Sequence, residues 1–307
     1  MKLWQIGKRT SLFLLVNVLI VTTIGLVLSL FGVGARLPGG GYASLMAFCF
    51  IWGMGGAFIS LAMSRLMAKW FMGVEVVDPE TQDPELRELV QSVHSLARKA
   101  GLSTMPQVGV YQSDEVNAFA TGPSHSRSLV AVSTGLLSQM GRREVDGVLA
   151  HEITHIVNGD MVTMTLIQGV INAFVMFLAR VLAFAVSQAM RSRDDDRGGG
   201  GFIEFILVMV FQIVFSLLGS LVVCRFSRWR EFRADAGGAQ LAGREQMIGA
   251  LTALSRFHDA PPKLTAAEGG PAFQALKISS STGGMMRLFA THPPLEERIA
   301  RLQSQVG

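Results

Sequence analysis

The sequence predicts an α-helical membrane protein with an α+β domain outside the bilayer, mostly helical with a small β-sheet. Three observations support this fold class. Half of the 307 residues are apolar and only 16% are charged, which is too apolar for an ordinary soluble domain. Four apolar stretches are long enough to cross a bilayer. The segments outside these stretches show helical and strand-like patterns.

The four apolar stretches cover residues 11–34, 42–63, 161–190 and 202–224. The first does not fit a cleaved signal peptide, because it is long, lacks a clear small-residue cleavage site and is followed at once by another stretch. The third contains Arg180 and the fourth begins near Glu204, so two long helices buried against the rest of the protein are an alternative to a membrane hairpin. Their length favours spanning.

These stretches divide the chain into four parts. Residues 1–63 are expected to form two transmembrane helices and residues 161–224 a transmembrane hairpin, while 64–160 and 225–307 form two halves of one domain. Positive residues near the span ends place both termini and both halves in the cytoplasm: Lys2, Lys8, Arg9, Arg65, Lys69, Arg225, Arg228, Arg230 and Arg233. The net charge of +4 then reflects membrane orientation, and nothing in the sequence indicates nucleic-acid binding.

The first half of the domain contains both helical and strand patterns. Residues 83–101 are expected to be helical, with Pro84 in the first turn. Residues 107–112 and 128–133 are typical of strands, and 117–120 could continue a small sheet. An exposed edge there would allow an extended peptide to pair with the sheet.

Two segments rich in glycine or proline are expected to be connections, and the two cysteines are expected to be packing residues. The glycine run at 198–201 predicts a short turn, and residues 261–271 predict a surface loop. Cys49 and Cys224 lie within predicted spans and form no C-x-x-C pair. We therefore expect buried packing positions and neither a disulfide nor a metal site.

The pattern H-E-x-x-H occurs once, as His151-Glu152-Ile153-Thr154-His155. Residues 144–150 have helical periodicity and Gly141 could cap the helix start, so the motif is expected on a helix. Histidines four apart share one helix face and can bind one metal ion, while Glu152 can reach a water on that ion. The pattern predicts metal-activated hydrolysis; the alternative is two core or surface histidines without a metal.

A catalytic zinc site usually has three protein ligands, so a third is needed. The other histidines are His94, His125, His258 and His292, and none follows the motif at the short spacing of H-E-x-x-H-x-x-G-x-x-H enzymes. Glu231 is the better candidate, with Asp235 on the same helix face to accept a hydrogen bond from a ligand histidine. Taken alone, E-x-x-x-D is weak and favours an ordinary charged helix face.

With these residues in place, the chain resembles the HtpX branch of the Ste24/Oma1-type (M48) membrane zinc endopeptidases. Matching segments are N-A-F-A-T-G at 117–122, H-E-I-T-H-I-V-N-G-D at 151–160, E-F-R-A-D at 231–235 and T-H-P-P-L-E-E-R at 291–298. The resemblance covers essentially the whole chain. It implies a zincin-like catalytic domain with one Zn²⁺, protein substrates that include membrane proteins, and quality control in a bacterial-type inner membrane.

The expected reaction is hydrolysis of a peptide bond. Zinc held by His151, His155 and Glu231 would activate a water, and Glu152 would act as general base and return the proton to the leaving amine. Two imidazoles, one carboxylate and an open position suit zinc better than other metals.

Three further residues receive weaker assignments. The resemblance places Asn117 near the substrate cleft, whereas the sequence alone favours a turn residue. It also suggests His292 as the donor that stabilises the oxyanion; the alternative is a helix start marked by Thr291 and the prolines after it. Arg298 is a weaker candidate for the same neighbourhood.

Two other functions stay open. A narrow-specificity processing peptidase, acting for example on lipid-modified tails, is disfavoured because the related prenyl-protein proteases use more spans and a large intramembrane chamber. A catalytically silent membrane scaffold is disfavoured because it has no need of Glu152. The sequence indicates neither the natural substrates nor the oligomeric state.

Overall fold

A computed structural model describes residues 41–190, 200–259 and 290–304. The first predicted span, 11–34, and the predicted loop at 261–271 lie outside these residues. The chain divides into two units, 1–49 and 50–307, and the described part of the first unit is helical. The elements in chain order are α1 (Gly41–Phe71), β1 (Glu75–Val76), α2 (Pro84–Lys99), β2 (Gln107–Tyr111), β3 (Ala118–Ser124), β4 (Arg127–Ser133), α3 (Thr134–Gln139), α4 (Arg142–Val157), α5 (Asp160–Met190), α6 (Gly200–Ala242), α7 (Arg244–Asp259) and α8 (Leu295–Ser304).

Three helices in the described part of the chain are long and apolar enough to cross a membrane. They correspond to Ser44–Phe71 in α1, Asp160–Met190 in α5 and Phe202–Ala242 in α6. Helices α5 and α6 pack against each other, yet many of their large apolar side chains face outward, as lipid-facing positions do. Two helices buried within a protein would not leave these side chains exposed: Phe174, Leu178, Phe205, Leu217, Leu218 and Val222.

Helix α6 continues well beyond the predicted end of the fourth span. The predicted boundary fell between Cys224 and Arg225, where apolar sequence gives way to arginines. The helix runs through this point to Ala242, because arginine is a good helix former and no glycine or proline interrupts the turn. One rigid element therefore carries both the apolar stretch and Glu231. Cys224 and Cys49 are buried cysteines that form no disulfide.

The small sheet has four strands in the order β1-β2-β4-β3. Strand β2 pairs parallel with β4, and β1 and β3 pair antiparallel at the two edges. Both central strands lie within a residue of their predicted positions, while β3 extends to Ser124, beyond the predicted 117–120. The edge strand β3 contacts α4, so one edge of the sheet, which no other described strand covers, lies beside the helix that carries the H-E-x-x-H motif.

Helix α4 forms the centre of the domain outside the apolar helices. Leu149, Ile153 and Ile156 are fully buried and pack with Val130 and Val132 of β4. Burial of each such side chain contributes about 1.5–3 kcal/mol. Because α4 is packed against the sheet, α2, α6 and α7, its histidines are held on a rigid element.

The ends of α2 and α4 follow the sequence signals. Asp83 caps α2 by accepting from the N–H groups of Glu85 and Leu86, and Pro84 occupies the first turn as predicted. Gly141 precedes α4 as predicted, and its N–H donates to Glu144 Oε2 at 2.8 Å. The motif helix therefore begins at a defined residue, about two and a half turns before His151.

Candidate metal centre

The two histidines of the motif lie one turn apart on α4. Both are nearly buried, with 7% of His151 and 8% of His155 exposed. Their rings pack edge to face, with centroids 4.6 Å apart, and their Nε2 atoms are separated by 3.1 Å. The two Nε2 atoms therefore converge on one point beside the helix.

Helix α6 brings Glu231 to the same point. Glu231 Oε2 lies 3.5 Å from His151 Nε2, and Oε1 lies 3.3 Å from His155 Nε2, in a carboxylate that is 1% exposed. Close packing of α6 on α4 requires a small residue at Gly238, where a Cβ would lie 3.2 Å from the backbone nitrogen of His151. The E-x-x-x-D residues of α6, a weak pattern by themselves, therefore face the H-E-x-x-H residues of α4.

These three side chains fit a metal ion. One ligand atom from each lies within 4.8 Å of the others. Ligands about 2.1 Å from a tetrahedral ion stand about 3.4 Å apart, close to the 3.1, 3.3 and 3.5 Å measured between the Nε2 and Oε atoms. Two imidazoles and a carboxylate are a common catalytic donor set.

The outer nitrogens of both rings contact carboxylates. His151 Nδ1 lies 3.0 Å from Asp235 Oδ1, and His155 Nδ1 lies 2.6 Å from Asp160 Oδ2. A carboxylate accepts, so each Nδ1–H donates, and a bound metal would take the Nε2 lone pair of each ring. Such partners fix the ring orientation and raise the basicity of the ligand. The proposed partner Asp235 is thus in contact with the proposed ligand His151.

Asp160 is a residue of this site that sequence reasoning missed. In the sequence, Asn158-Gly159-Asp160 predicts only a helix end after the motif helix. In the structure Gly159 has a φ of +65°, which turns the chain sharply, and Asp160 becomes the first residue of α5. The sequence signal that could have identified Asp160 is its position: an acidic residue directly after a helix-ending glycine, close to the second histidine of the motif.

The surrounding carboxylates also determine the charge of His151 when no metal is bound. Burial disfavours the imidazolium, but the hydrogen bonds to Asp235 and Glu231 outweigh it and raise the pKa of His151 from 6.5 to about 9. A metal must therefore displace a proton from this ring at neutral pH.

Two arginines balance the acidic residues. Arg298 of α8 donates through Nε and a terminal NH₂ to both oxygens of Asp235, at 2.8 and 2.6 Å. Burial alone would lower the pKa of Arg298, but these hydrogen bonds raise it above its ordinary value. Arg230 lies 3.3 Å from Glu231 Oε1 and 3.9 Å from Asp160 Oδ2. The cluster is therefore a charge-compensated network and is not a bare acidic pocket.

His292 and Glu152 also lie at this cluster. His292 Nδ1 donates to Glu231 Oε2 at 2.7 Å, while 58% of the histidine side chain is exposed. Glu152 lies on α4 next to His151 and is half-buried, and its charge helps to keep Arg298 protonated. The structure thus brings His292 into contact with the proposed ligand Glu231, while Glu152 is the helix neighbour of the proposed ligand His151.

Asn117 immediately precedes the edge strand β3. Its N–H donates to Ser133 Oγ at 3.1 Å, and its carbonyl accepts from the Ser133 N–H at 2.9 Å. The backbone is therefore fixed by local pairing, as a turn residue would be, while the half-buried side chain stands at the start of the edge. His94 contacts the carbonyl of Pro106 at 3.2 Å, which is a structural role.

Comparison with known proteins adds to this geometry. Residues 82–306 match the profile of Peptidase family M48. The chain is 51% identical to a protease HtpX homolog of Bacillus pumilus, over 97% of this chain and 100% of the relative. It is 49% identical to the protease HtpX homologs of Bacillus subtilis (97% of this chain, 100% of the relative) and Paracidovorax citrulli (98% and 100%).

A solved structure shares the fold. The crystal structure of S. mikatae Ste24p superposes with a TM-score of 0.59 at 20% sequence identity. The match covers 98% of this chain and 66% of that chain, so this chain spans slightly less than two thirds of the larger protein. At this identity the likeness concerns the fold.

Proposed function

The chain belongs to peptidase family M48 and is a membrane metalloprotease, and from that premise we propose that it is a zinc-dependent endopeptidase. Its proposed role is to cleave misfolded or damaged membrane proteins at the cytoplasmic face of a bacterial-type inner membrane. The observation that carries the proposal is the convergence of His151 Nε2, His155 Nε2 and the Glu231 carboxylate, each 3.1–3.5 Å from the next.

Zinc is the proposed metal because the donor set matches its preference for imidazole and carboxylate ligands at tetrahedral spacing. When bound by His151, His155 and Glu231, zinc would supply a Lewis acid that activates water and polarises the scissile carbonyl. Asp235 and Asp160 would hold the two imidazoles in the tautomer that leaves Nε2 free.

Glu152 is the proposed general base. It follows His151 directly on α4, so its carboxylate is held next to the ligand cluster by a rigid and well-packed helix. In that role one carboxylate oxygen takes the proton from the attacking water and later delivers it to the leaving amine.

His292 is the proposed donor to the developing oxyanion. Its ring is fixed by the 2.7 Å hydrogen bond from Nδ1 to Glu231, and the rest of the ring is exposed toward solvent. Arg298 is less suited to this task because Asp235 occupies its Nε and one terminal nitrogen. The helix-start alternative for residues 291–294 is favoured by the bond from the Arg298 N–H to the Pro294 carbonyl at 3.2 Å, in the first turn of α8.

The edge strand β3 is the proposed binding position for substrate. An extended peptide that pairs with this edge would run beside α4 and past Asn117, whose side chain is not needed for the local backbone pairing. Backbone pairing accepts many sequences, which suits an enzyme that removes damaged proteins of varied sequence.

The position of the cluster on the apolar helices favours membrane proteins as substrates. Asp160 is the first residue of α5, and Glu231 lies on α6 only seven residues beyond Cys224, the predicted end of the span. Loops that emerge close to the bilayer would therefore meet the cluster. The arginines that follow Cys224 favour the cytoplasmic side.

The test compares the parent chain with Glu152→Gln after reconstitution into liposomes. The substrates are a membrane protein with destabilised loops and a short peptide with a lipid-modified tail. We expect the parent to cleave the membrane protein and Glu152→Gln, with zinc retained, to cleave neither substrate. Cleavage of the lipidated peptide alone would favour a processing peptidase. If both the parent and Glu152→Gln bind zinc but neither cleaves either substrate, the result would favour a scaffold.

Orientation needs a separate test. A cysteine introduced at Ser304, which is exposed on α8, can be labelled with a membrane-impermeant maleimide. We expect labelling only after the cells are opened. Labelling of intact cells would place the domain on the other side of the membrane and exclude the cytoplasmic role.

A further inference from the structure

A basic cavity of about 180 Å³ lies at the end of α1, within the unit formed by residues 50–307. One wall comes from a single face of α1, at positions spaced i, i+3, i+4 and i+7, and the other comes from the end of β3 and the start of β4, on either side of their turn. The lining residues are Ala62, Arg65, Leu66, Lys69, Pro123 and Arg127. Three of these six carry a positive charge and none carries a negative charge.

No carboxylate neutralises the three cations within the described ranges 41–190, 200–259 and 290–304. The described ion pairs involve other residues, and the terminal nitrogen of Arg65 donates to the neutral amide oxygen of Gln107. The Nε atom of Arg65 is buried and has no hydrogen-bond partner. A buried guanidinium N–H without an acceptor is costly, so the protein neighbours of Arg65 leave its hydrogen-bonding capacity incompletely satisfied.

The cavity lies at the end of a helix that could span a membrane, and this position indicates which anion it would bind. Arg65 and Lys69 lie in the last two turns of a helix long enough to span a membrane. Trp70 and Phe71 follow at once and are 73% and 76% exposed. Exposed aromatic residues next to lysine and arginine at a span end are typical of the membrane–water interface. The cavity therefore opens at the depth of lipid headgroups.

We propose that this cavity binds the phosphate of an anionic phospholipid headgroup. A phosphate offers several acceptor oxygens, and guanidinium groups bind them through charge-assisted, often bidentate, hydrogen bonds. Arg65 and Lys69 would contact the headgroup from α1, and Arg127 would contact it from the start of β4. The exposed apolar surface of Leu66 would lie along the acyl chains.

Headgroup binding would connect the bilayer to the edge strand. Pro123 belongs to β3 and Arg127 begins β4, and the pairing of these two strands is irregular between Thr121 and Ser124. A ligand held by α1 and by this turn would fix the irregular end of β3 against the membrane. An effect on peptide cleavage rests on the proposed function of β3, whereas lipid binding does not.

The experiment measures retention of phosphatidylglycerol by the full-length protein. Protein is extracted from nanodiscs of phosphatidylcholine with added phosphatidylglycerol, and bound lipid is counted by native mass spectrometry. The test variants are Arg127→Gln and Lys69→Gln. The matched control is Arg225→Gln, which removes the same charge from an exposed site on α6 at the predicted end of a span but outside the cavity.

We expect the parent and Arg225→Gln to retain phosphatidylglycerol over phosphatidylcholine. Each cavity variant should lose about tenfold in retention, the effect of one charge-assisted hydrogen bond. Equal losses in Arg225→Gln would mean diffuse attraction of the bilayer to basic residues and would overturn the proposal. Unchanged retention of phosphatidylglycerol in both cavity variants would also overturn the proposal. So would displacement of phosphatidylglycerol from the parent and from Arg225→Gln by inorganic phosphate, at phosphate concentrations that do not otherwise alter these two proteins. Because Arg127 is exposed and Lys69 lies on a separate element, misfolding of one variant leaves the other as the test.

Discussion

Arg298 and Asp235 form a buried bidentate ion pair across 63 positions of sequence, with nitrogen–oxygen distances of 2.8 and 2.6 Å. Asp235 in turn contacts His151 Nδ1 at 3.0 Å, and a terminal nitrogen of Arg298 also lies 3.6 Å from Glu231 Oε2, so Arg298 of α8 lies against the groups around two proposed metal ligands. The arginine therefore acts on the proposed metal ligand by positioning its partner.

Substitution of Arg298 by glutamine should weaken both metal binding and the fold. It leaves the Asp235 carboxylate buried without its cation, which costs about 3–5 kcal/mol, and it frees the carboxylate that orients His151. We expect zinc affinity to fall about 10–100-fold. Competition with a chelator measures the affinity, and thermal unfolding measures the stability.

Arg301→Gln is the matched control for Arg298→Gln. Arg301 lies on the same helix, is exposed and stacks on the Phe232 ring with its guanidinium carbon 4.6 Å from the centroid. Its loss should leave zinc affinity within about twofold of the parent. Equal effects of the two substitutions would mean that Arg298 stabilises α8 in general and does not position the ligand.

Asp160→Asn tests the residue that the sequence did not reveal. The asparagine keeps the size of the side chain but removes the charge that accepts from His155 Nδ1 at 2.6 Å. We expect about 10–100-fold weaker zinc binding with the fold retained. Asp78→Asn, an exposed change between β1 and α2, provides the comparison. Zinc affinity equal to that of the parent would remove Asp160 from the site.

The pH dependence of the metal-free protein should follow His151. Because its pKa is raised from 6.5 to about 9, the folded protein holds a proton that the unfolded chain has released between these values. This contribution to stability is fully present below pH 6.5 and is lost as the pH rises through about 9. Zinc competes with the same proton, so apparent zinc affinity should rise over that interval.

Thermal unfolding from pH 6.5 to 9, with zinc or with a chelator, measures this dependence. The difference in unfolding temperature between the two conditions should widen as the pH rises. Asp235→Asn should flatten the trend, since it removes a hydrogen bond that raises the pKa of His151. A difference that stays constant with pH in the parent would contradict a protonated His151.

Much of the fold could be predicted because it depends on local patterns. The i, i+4 spacing of His151 and His155, the capping position of Gly141 and the first-turn Pro84 each specify a helix without information from elsewhere in the chain. The two central strands were found from their apolar runs. The mostly helical membrane fold with a small sheet is confirmed by the three long apolar helices and the Ste24p-like fold.

The parts that could not be predicted depend on contacts between distant segments. The contact of Asp160 with His155 requires the turn at Gly159, and the sequence shows only a helix end there. Continuation of α6 past Cys224 was missed because a cluster of arginines marks the end of an apolar stretch but does not end a helix. The extension of β3 to Ser124 depends on pairing with β4, which the periodicity of β3 alone does not specify.

The most direct test of the metal centre is zinc content together with cleavage of an unfolded model protein in detergent. Three chains are compared: the parent, Glu152→Gln and Glu231→Gln. We predict one zinc per chain in the parent and in Glu152→Gln, cleavage by the parent alone, and loss of both zinc and cleavage in Glu231→Gln. Full zinc and cleavage in Glu231→Gln, or cleavage by Glu152→Gln, would contradict the assigned roles.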